Sequence, residues 1–135
     1  MSSPYNSFVF PRTGLEVRNR SVVAAMTNKQ SNPDGTLSDD EINWLLRRAE
    51  GGFGIVTTAA THVVSEGQGW DGEMGVWGDH QLPGLTRLAT GINEHGAVSL
   101  AQIFHGGMRC PQRLTGVQPV SASINPTSDS DNGET

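Results

Sequence analysis

The chain has 135 residues, enough for one ordinary domain with its own core. Its formal net charge is −5 and its basic residues cluster only at Arg47-Arg48, which argues against a nucleic-acid partner. Its apolar runs are too short to cross a bilayer. Residues 1–11 lack the basic start and apolar core of a signal peptide, and Cys110 is the only cysteine, so a cytoplasmic location without an internal disulfide is expected.

The chain opens with two short extended segments and a buried strand. Residues 8–10 and 15–17 flank a turn that contains glycine, which predicts an antiparallel hairpin. The apolar run 21–26 is bounded by turn signals, a pattern typical of a strand that is buried on both faces of a parallel sheet. In parallel α/β folds, ligands meet the residues that follow such strands, which here are Met26 and Thr27.

Two amphipathic helices follow. Ser38 can cap the first helix, and Glu41 stands at the capping-box spacing, from which its side chain could bond back to the cap. Gly51-Gly52 predicts the end of this helix, because glycine adopts the left-handed conformation at low cost. The second helix is expected from residue 83 to residue 95. The apolar stripe of the first helix is Ile42, Leu45, Leu46 and Ala49.

Two further strands are predicted, at residues 53–60 and 97–104. Between the first of these and the second helix, residues 62–81 contain several glycines and no period, so this segment is expected to pack down as a lid or cap. Its large apolar side chains, which need burial, are Trp70, Met74, Val76 and Trp77.

The element order is β-α-β-α-β, so both crossovers are expected to be right-handed and the three strands parallel. A complete (β/α)₈ barrel needs about 250 residues. We therefore expect residues 1–135 to be one incomplete α/β domain, the N-terminal portion of a TIM barrel with about three parallel strands and two helices. Residues 1–20 would form the hairpin lid, 21–105 the β-α-β-α-β unit, and 106–135 a long loop or disordered tail.

Six short sequence motifs, in the right order and at suitable spacing, resemble those of the old yellow enzyme family of FMN-dependent NAD(P)H oxidoreductases. The resemblance covers about residues 8–124. It implies a (β/α)₈ barrel with FMN over the C-terminal strand ends. It also implies hydride transfer from NAD(P)H to FMN and then to an activated alkene. The motifs are residues 19–27, 34–39, 48–54, 75–79, 83–85 and 102–107.

By this resemblance, FMN would contact three places in the chain. The segment Ala24, Ala25, Met26 and Thr27 lies along the flavin, and Thr27 would bond the carbonyl beside the hydride-carrying N5. Ala60 is the small residue that lets the ring approach the backbone, and Gln102 reads the pyrimidine edge. Lys29 matches a place from which some members reach the substrate. Without the resemblance, Thr27 could start a loop, Ala60 could reflect close packing, and Gln102 could bond a buried water or a backbone group.

The resemblance places no catalytic residue in this chain. The family's substrate-anchoring His-x-x-His or His-x-x-Asn pair has no match here, so a truncated chain that is inactive alone is expected. Ala25 also stands where the family commonly has proline. No metal site is expected, and Cys110 is interpreted as inert. The histidines without metal-ligand spacing are His62, His80 and His95.

Two other functions remain open. The chain could be a non-catalytic module that pairs through its bare sheet edges in a homo-oligomer or with a complementing chain. It could also belong to a (β/α)₈ enzyme with another cofactor. In the favoured reading the partners are a small-molecule substrate and NAD(P)H, with no nucleic acid and no membrane.

Overall fold

The computed structural model describes residues 3–123. A two-stranded antiparallel sheet precedes a four-stranded parallel sheet, which carries helices in its connections. The elements are β1 (Phe8–Val9), β2 (Glu16–Val17), β3 (Val22–Val23), α1 (Asp39–Glu50), β4 (Ile55–His62), β5 (Met74–Gly75), α2 (Leu82–Glu94), β6 (Val98–Phe104) and α3 (Gln112–Thr115). The predicted hairpin, the two helices and the parallel arrangement of the strands are confirmed.

β4 is the central strand, and it pairs in parallel with β3, β5 and β6. It extends to His62 rather than ending at residue 60, because its last two residues pair on one side with β6 and on the other with β5. β3 is shorter than predicted, since only Val22–Val23 pairs with β4 and residues 24–26 continue without ladder hydrogen bonds. Local sequence pattern cannot report these limits, because they depend on the neighbouring strand.

The N-terminus of α1 confirms the cap but not the capping box. The Ser38 side chain accepts a hydrogen bond from the Glu41 backbone at 3.1 Å. The Glu41 side chain does not bond back to the cap and instead accepts hydrogen bonds from Asn28 and Ser31. The spacing was right for a capping box, but the loop before the helix supplies two donors to the same carboxylate, and the side chain is fully buried against them.

The C-terminus of α1 ends as predicted, at the glycine pair. Gly51 is still right-handed, and Gly52 is the left-handed residue with φ +102°. The backbone of Gly52 donates to the Ala49 carbonyl, and that of Phe53 donates to the Arg48 carbonyl. This Schellman pattern satisfies carbonyls that the helix would otherwise leave unpaired, and it turns the chain into β4.

The core lies between the parallel sheet and helices α1 and α2. Both helices are amphipathic, and their buried stripes face β4 and each other. Burying such stripes is what holds short helices of 12 and 13 residues in place. The core residues are Val23, Leu37, Ile42, Leu45, Ala49, Val56, Met74, Leu88, Ile92 and Ala97.

The segment predicted as a lid, residues 62–81, packs down in part. Met74 is buried in β5, and Trp70 is half-buried with its ring centroid 5.3 Å from that of Phe104. Val76 and Trp77 remain 40% and 41% exposed, so the expected burial is wrong for these two. Their strand pairing ends at Gly75, after which the chain turns along the surface.

Beyond β6 the chain forms short helical turns where a loop or disordered tail was expected. Gly107–Arg109 is a 3₁₀ turn and Gln112–Thr115 is the single-turn α3. Cys110 and Pro111 are buried between them. The rest of the expected tail, residues 124–135, lies outside the described residues.

Candidate functional site

The C-terminal ends of β3, β4 and β6 share one edge of the sheet, because the strands are parallel. β3 is in register with β4 through Val23 and Val56, and the segment 24–27 leaves the sheet at that edge. Within this segment Ala24, Met26 and Thr27 are exposed and Ala25 is half-buried. These residues therefore stand where a ligand over the strand ends would meet them.

Ala60 and Gln102 are direct neighbours in the sheet. They are register partners in the β4–β6 ladder, so their side chains project from the same face. Both residues lie two positions inside their strands rather than at the ends, since the strands extend to His62 and Phe104. Ala60 is buried, while the Gln102 side chain is exposed, and β6 pairs with β4 alone among residues 3–123.

A bulge in β4 produces this pairing. The register shifts between Thr57 and Ala60, so that Thr58 and Ala59 have no ladder partner of their own. The Thr58 hydroxyl accepts a hydrogen bond from the Gln102 backbone at 3.2 Å and replaces a missing ladder carbonyl. Bulges of this kind re-aim side chains near functional sites. Apart from a pair of threonines, no local pattern predicts this bulge.

The loop after segment 24–27 is held by a buried carboxylate. Asn28 donates to Glu41 Oε1 at 2.9 Å, and the Ser31 hydroxyl donates to Oε2 of the same side chain. The Asn28 side chain also accepts from the Gln30 backbone at 3.1 Å. Glu41 is fully buried. Sequence reasoning placed Glu41 in a helix cap and missed this role.

Lys29 lies inside this clamped loop and is strained. Its φ is +55°, the only left-handed value at a non-glycine position among residues 3–123. Its carbonyl packs against Gly72, where an added Cβ would lie 2.6 Å from the carbonyl oxygen. The Ser31 backbone donates to the Gly72 carbonyl at 3.2 Å. The Lys29 side chain is exposed.

A second buried polar group lies at the end of β4. Trp77 Nε1 donates to His62 Nε2 at 3.0 Å. An indole N–H can only donate, so His62 Nε2 must be the acceptor and the neutral ring carries its proton on Nδ1. Burial lowers the pKa of His62 and so favours this neutral form, although the Met74 backbone acts to raise the pKa.

Glu73 faces His62 across 3.7 Å, from Oε2 to Nδ1. Burial raises the pKa of Glu73 to about 7, although hydrogen bonds from the Gly69 and Trp70 backbones oppose the change. The Gly69 bond to Oε2 is 2.6 Å long. His62 Nδ1 and Glu73 Oε1 are buried without a hydrogen-bond partner in the structure. Residue spacing gave no signal for this pair, because their proximity depends on the β4–β5 pairing.

The remaining candidates show no catalytic or metal-binding arrangement. Cys110 is buried, and this burial raises the pKa of its thiol. The nearby charge of Glu73 also raises this pKa, whereas hydrogen bonds from the Gly106 and Gly107 backbones lower it. A thiol with a raised pKa is a poor nucleophile, which suits the inert role expected of Cys110. Within residues 3–123, no three histidine, cysteine, aspartate or glutamate side chains cluster as metal ligands. No helix in this described part has the length and apolar character of a membrane span.

An open cavity of about 480 Å³ lies away from the predicted site. It is lined by residues that precede β3 and β4, among them Asn19, Ser21 and Phe53, so it lies at the N-terminal edge of the sheet. In parallel α/β folds this edge serves stability, and ligands bind at the opposite one. We therefore place the candidate site at the Ala60–Gln102 edge and not in this cavity.

Comparison with known proteins agrees with the fold and identifies a family. Residues 13–134 match the model of the NADH:flavin oxidoreductase / NADH oxidase family. The chain is 36% identical over 130 residues to the Bacillus subtilis protein named "Probable NADH-dependent flavin oxidoreductase YqiG", covering 96% of this chain and 34% of the relative. It is 34% identical over 124 residues to an NADH:acrylate oxidoreductase of Vibrio harveyi, covering 91% of this chain and 12% of that protein.

A solved structure supports the same assignment. The old yellow enzyme homologue of Zymomonas mobilis superposes with a TM-score of 0.84 at 25% identity, over 92% of this chain and 34% of that one. The chain thus spans about a third of the length of the relative from Bacillus subtilis and of this structure. The match over nearly all of the sequence and the barrel-like arrangement of its strands show that the chain belongs to the NADH:flavin oxidoreductase / NADH oxidase family, the old yellow enzyme family.

Proposed function

We propose that this chain forms the flavin-facing N-terminal part of an FMN-dependent NAD(P)H oxidoreductase that reduces an activated alkene. The observation that carries the proposal is the register pairing of Ala60 with Gln102 beside the segment 24–27, at the C-terminal edge of a parallel sheet. A small residue and an amide on one face of neighbouring strands suit a flat heteroaromatic ring with a polar edge.

The residues present fit FMN by their chemistry. The exposed Gln102 amide offers one acceptor and two donors, which match the mixed donors and acceptors of a pyrimidine edge. The Ala60 side chain leaves room for a ring against the sheet, and the exposed Thr27 hydroxyl can donate to a flavin carbonyl. FMN, when bound, supplies the centre that accepts and passes on a hydride. A donor at Thr27 would stabilise the electron-rich reduced ring and so tune its potential.

The proposed acceptor class rests on the relatives. One of them is named as an NADH:acrylate oxidoreductase, and acrylate is an alkene conjugated to a carboxylate. Conjugation makes the β-carbon of an alkene electrophilic, which is what hydride transfer from a reduced flavin requires. Lys29 is the proposed substrate-facing residue, because it is exposed on the loop that follows the flavin segment.

FMN titration with visible absorption tests the flavin site. We expect a structured flavin spectrum with the unchanged chain, and about fivefold weaker binding for Gln102→Ala, since one lost hydrogen bond is worth about 1 kcal/mol. Ala60→Leu should abolish the change by filling the ring's space. The control is Gln112→Ala, which alters an exposed glutamine on α3. Equal binding by Gln102→Ala and the control would contradict the proposed site.

We further propose that these 135 residues do not turn over NADH alone, because the family's substrate-anchoring pair has no match among them. NAD(P)H oxidation with added FMN and an enone, followed at the nicotinamide band, tests this. No steady rate is expected. Sustained turnover by the purified chain would contradict the inactivity and would require the proton donor to be sought within these residues.

The exposed strand β6 favours a second candidate, a module that pairs through its sheet edge. Leu100 and Ile103 are 53% and 73% exposed, which is unusual for apolar residues of a parallel strand. A homo-oligomer or a complementing chain would cover them. Analytical ultracentrifugation distinguishes these cases: a compact monomer over a wide concentration range would contradict self-pairing, and a dimer lost on Ile103→Lys would support it.

A further inference from the structure

Glu41 is the most completely buried carboxylate in the first turn of α1, and its side chain points away from the helix cap into the preceding loop. Its two oxygens accept hydrogen bonds from Asn28 and Ser31, which stand on either side of Lys29 and Gln30. One side chain therefore closes the loop from both ends. A carboxylate suits this place because it only accepts, and both partners can donate.

The loop that Glu41 closes is strained. Lys29 has a left-handed backbone with φ +55°, a conformation that costs a residue with a Cβ about 1 kcal/mol or more. Such strain persists only where the surroundings determine the conformation several times over. Here the determinants are the Glu41 clamp, the Asn28 turn onto Gln30, and the close approach of the Lys29 carbonyl to Gly72.

The clamp also joins two loops that leave the candidate edge. The Ser31 backbone bonds the Gly72 carbonyl, so the loop after β3 is docked on the loop after β4. Thr27 directly precedes the clamped residues and Lys29 lies within them. Both predicted contact residues therefore lie at the clamp, although Glu41 itself stands on α1.

We propose that Glu41 is a positioning residue, which holds residues 28–31 in the strained conformation that presents Thr27 and Lys29 at the cofactor edge, meaning the Ala60–Gln102 edge of the sheet. The inference that this edge binds a flavin rests on the proposed function, but the clamp itself is testable without any flavin. Asn28 and Ser31 are the loop residues that bond Glu41 in this clamp.

The chain offers a direct readout of the clamp, because Lys29 is its only lysine. A lysine-specific endoproteinase therefore cuts the folded chain at one place, in the loop under test. Cleavage of a native loop tracks the population in which it opens. We expect Glu41→Ala to be cut at Lys29 at least tenfold faster than the unchanged chain, and Ser31→Ala to show an intermediate rate. Glu41→Gln should stay near the unchanged rate, because its amide can bond Asn28 through the oxygen and Ser31 through the nitrogen.

Two controls separate positioning from general destabilisation. Asp40→Ala changes an exposed neighbouring carboxylate and should leave the rate unchanged. Leu88→Ala, or the milder Ile92→Val, weakens the core under α2 and is chosen to match the unfolding midpoint of Glu41→Ala. The proposal is overturned if Glu41→Ala is cut no faster than the unchanged chain. It is also overturned if the matched core variant is cut at Lys29 equally fast.

Adding FMN separates this inference from the proposed function. Protection of Lys29 by FMN in the unchanged chain, lost in Glu41→Ala and kept in Glu41→Gln, supports both. Faster cleavage of Glu41→Ala with no FMN effect on any variant supports the clamp and counts against the flavin site. FMN protection that is equal in the unchanged chain and Glu41→Ala overturns the claim that the clamp presents the cofactor edge.

Discussion

The buried pair of His62 and Glu73 predicts an unusual dependence of stability on pH. The folded pKa of Glu73 is about 7, against an ordinary value of 4.5. Folding therefore favours the protonated acid. The stability that this group contributes is fully present below pH 4.5 and is lost as the pH rises through about 7, because the unfolded chain gives up the proton first. Since a tenfold change in proton affinity corresponds to about 1.4 kcal/mol, this rise in pKa corresponds to a loss of about 3 kcal/mol or slightly more.

The variant Glu73→Gln isolates this contribution. Glutamine resembles the protonated acid at every pH, and its oxygen can still accept from the Gly69 backbone. We expect Glu73→Gln to have nearly the stability of the unchanged chain at pH 5 and to exceed it by about 2–3 kcal/mol at pH 8. Any fixed cost of the new amide cancels when the two pH values are compared.

Urea denaturation at pH 5 and pH 8, followed by circular dichroism, measures this difference. The control is Glu94→Gln, an exposed glutamate at the end of α2, which should shift stability by less than about 0.5 kcal/mol at both values. An equal effect of Glu73→Gln at the two pH values would refute the buried neutral acid. Loss of stability at pH 8 would instead indicate a charged pair of His62 and Glu73.

Three further changes test the local structure. Trp77→Phe removes the donor to His62 Nε2, so we expect the free energy of unfolding measured in urea to fall by about 1–3 kcal/mol. The pKa of His62, measured by NMR titration, should rise, and an unchanged pKa would contradict the assigned tautomer. Gly52→Ala places a Cβ at φ +102° in open space, so only backbone strain of about 1–2 kcal/mol is expected, and a neutral result would argue against the left-handed cap. Leu45→Ala leaves a cavity at a fully buried core position and should lower the free energy of unfolding, measured in urea, by about 2–5 kcal/mol. A loss of less than about 0.5 kcal/mol, as expected for an exposed residue, would contradict this burial.

Much of the fold was predictable because its signals are local. The cap at Ser38, the stripe of α1 and the stop at Gly51-Gly52 each depend on residues within one helix, so they can be identified without a partner. The parallel order of β3, β4 and β6 follows from the alternation of apolar runs with these helices, whereas the short strand β5, Met74–Gly75, lies inside the segment predicted as a lid and was missed. The proposed ligand-facing residues came from family resemblance, and the direct pairing of Ala60 with Gln102 agrees with their grouping.

The strand limits and the buried polar groups were not predictable, because tertiary contacts decide them. β4 gained two residues from neighbours on both sides, and its bulge at Thr58 has no pattern of its own. Glu41 satisfied every rule for a capping box, yet two donors from a distant loop compete better for a carboxylate that the fold has removed from water.

By itself, the sequence determined the helices, the parallel order of the strands and the family of this chain, since these depend on short-range patterns and on sequence motifs shared with relatives. Only the tertiary structure decided which ordinary residues became exceptional. His62, Glu73 and Lys29 acquired a neutral ring, a raised pKa and a strained backbone from burial and close packing. Those effects depend on which groups lie nearby in space and how much water the fold excludes, and no spacing along the chain encodes them.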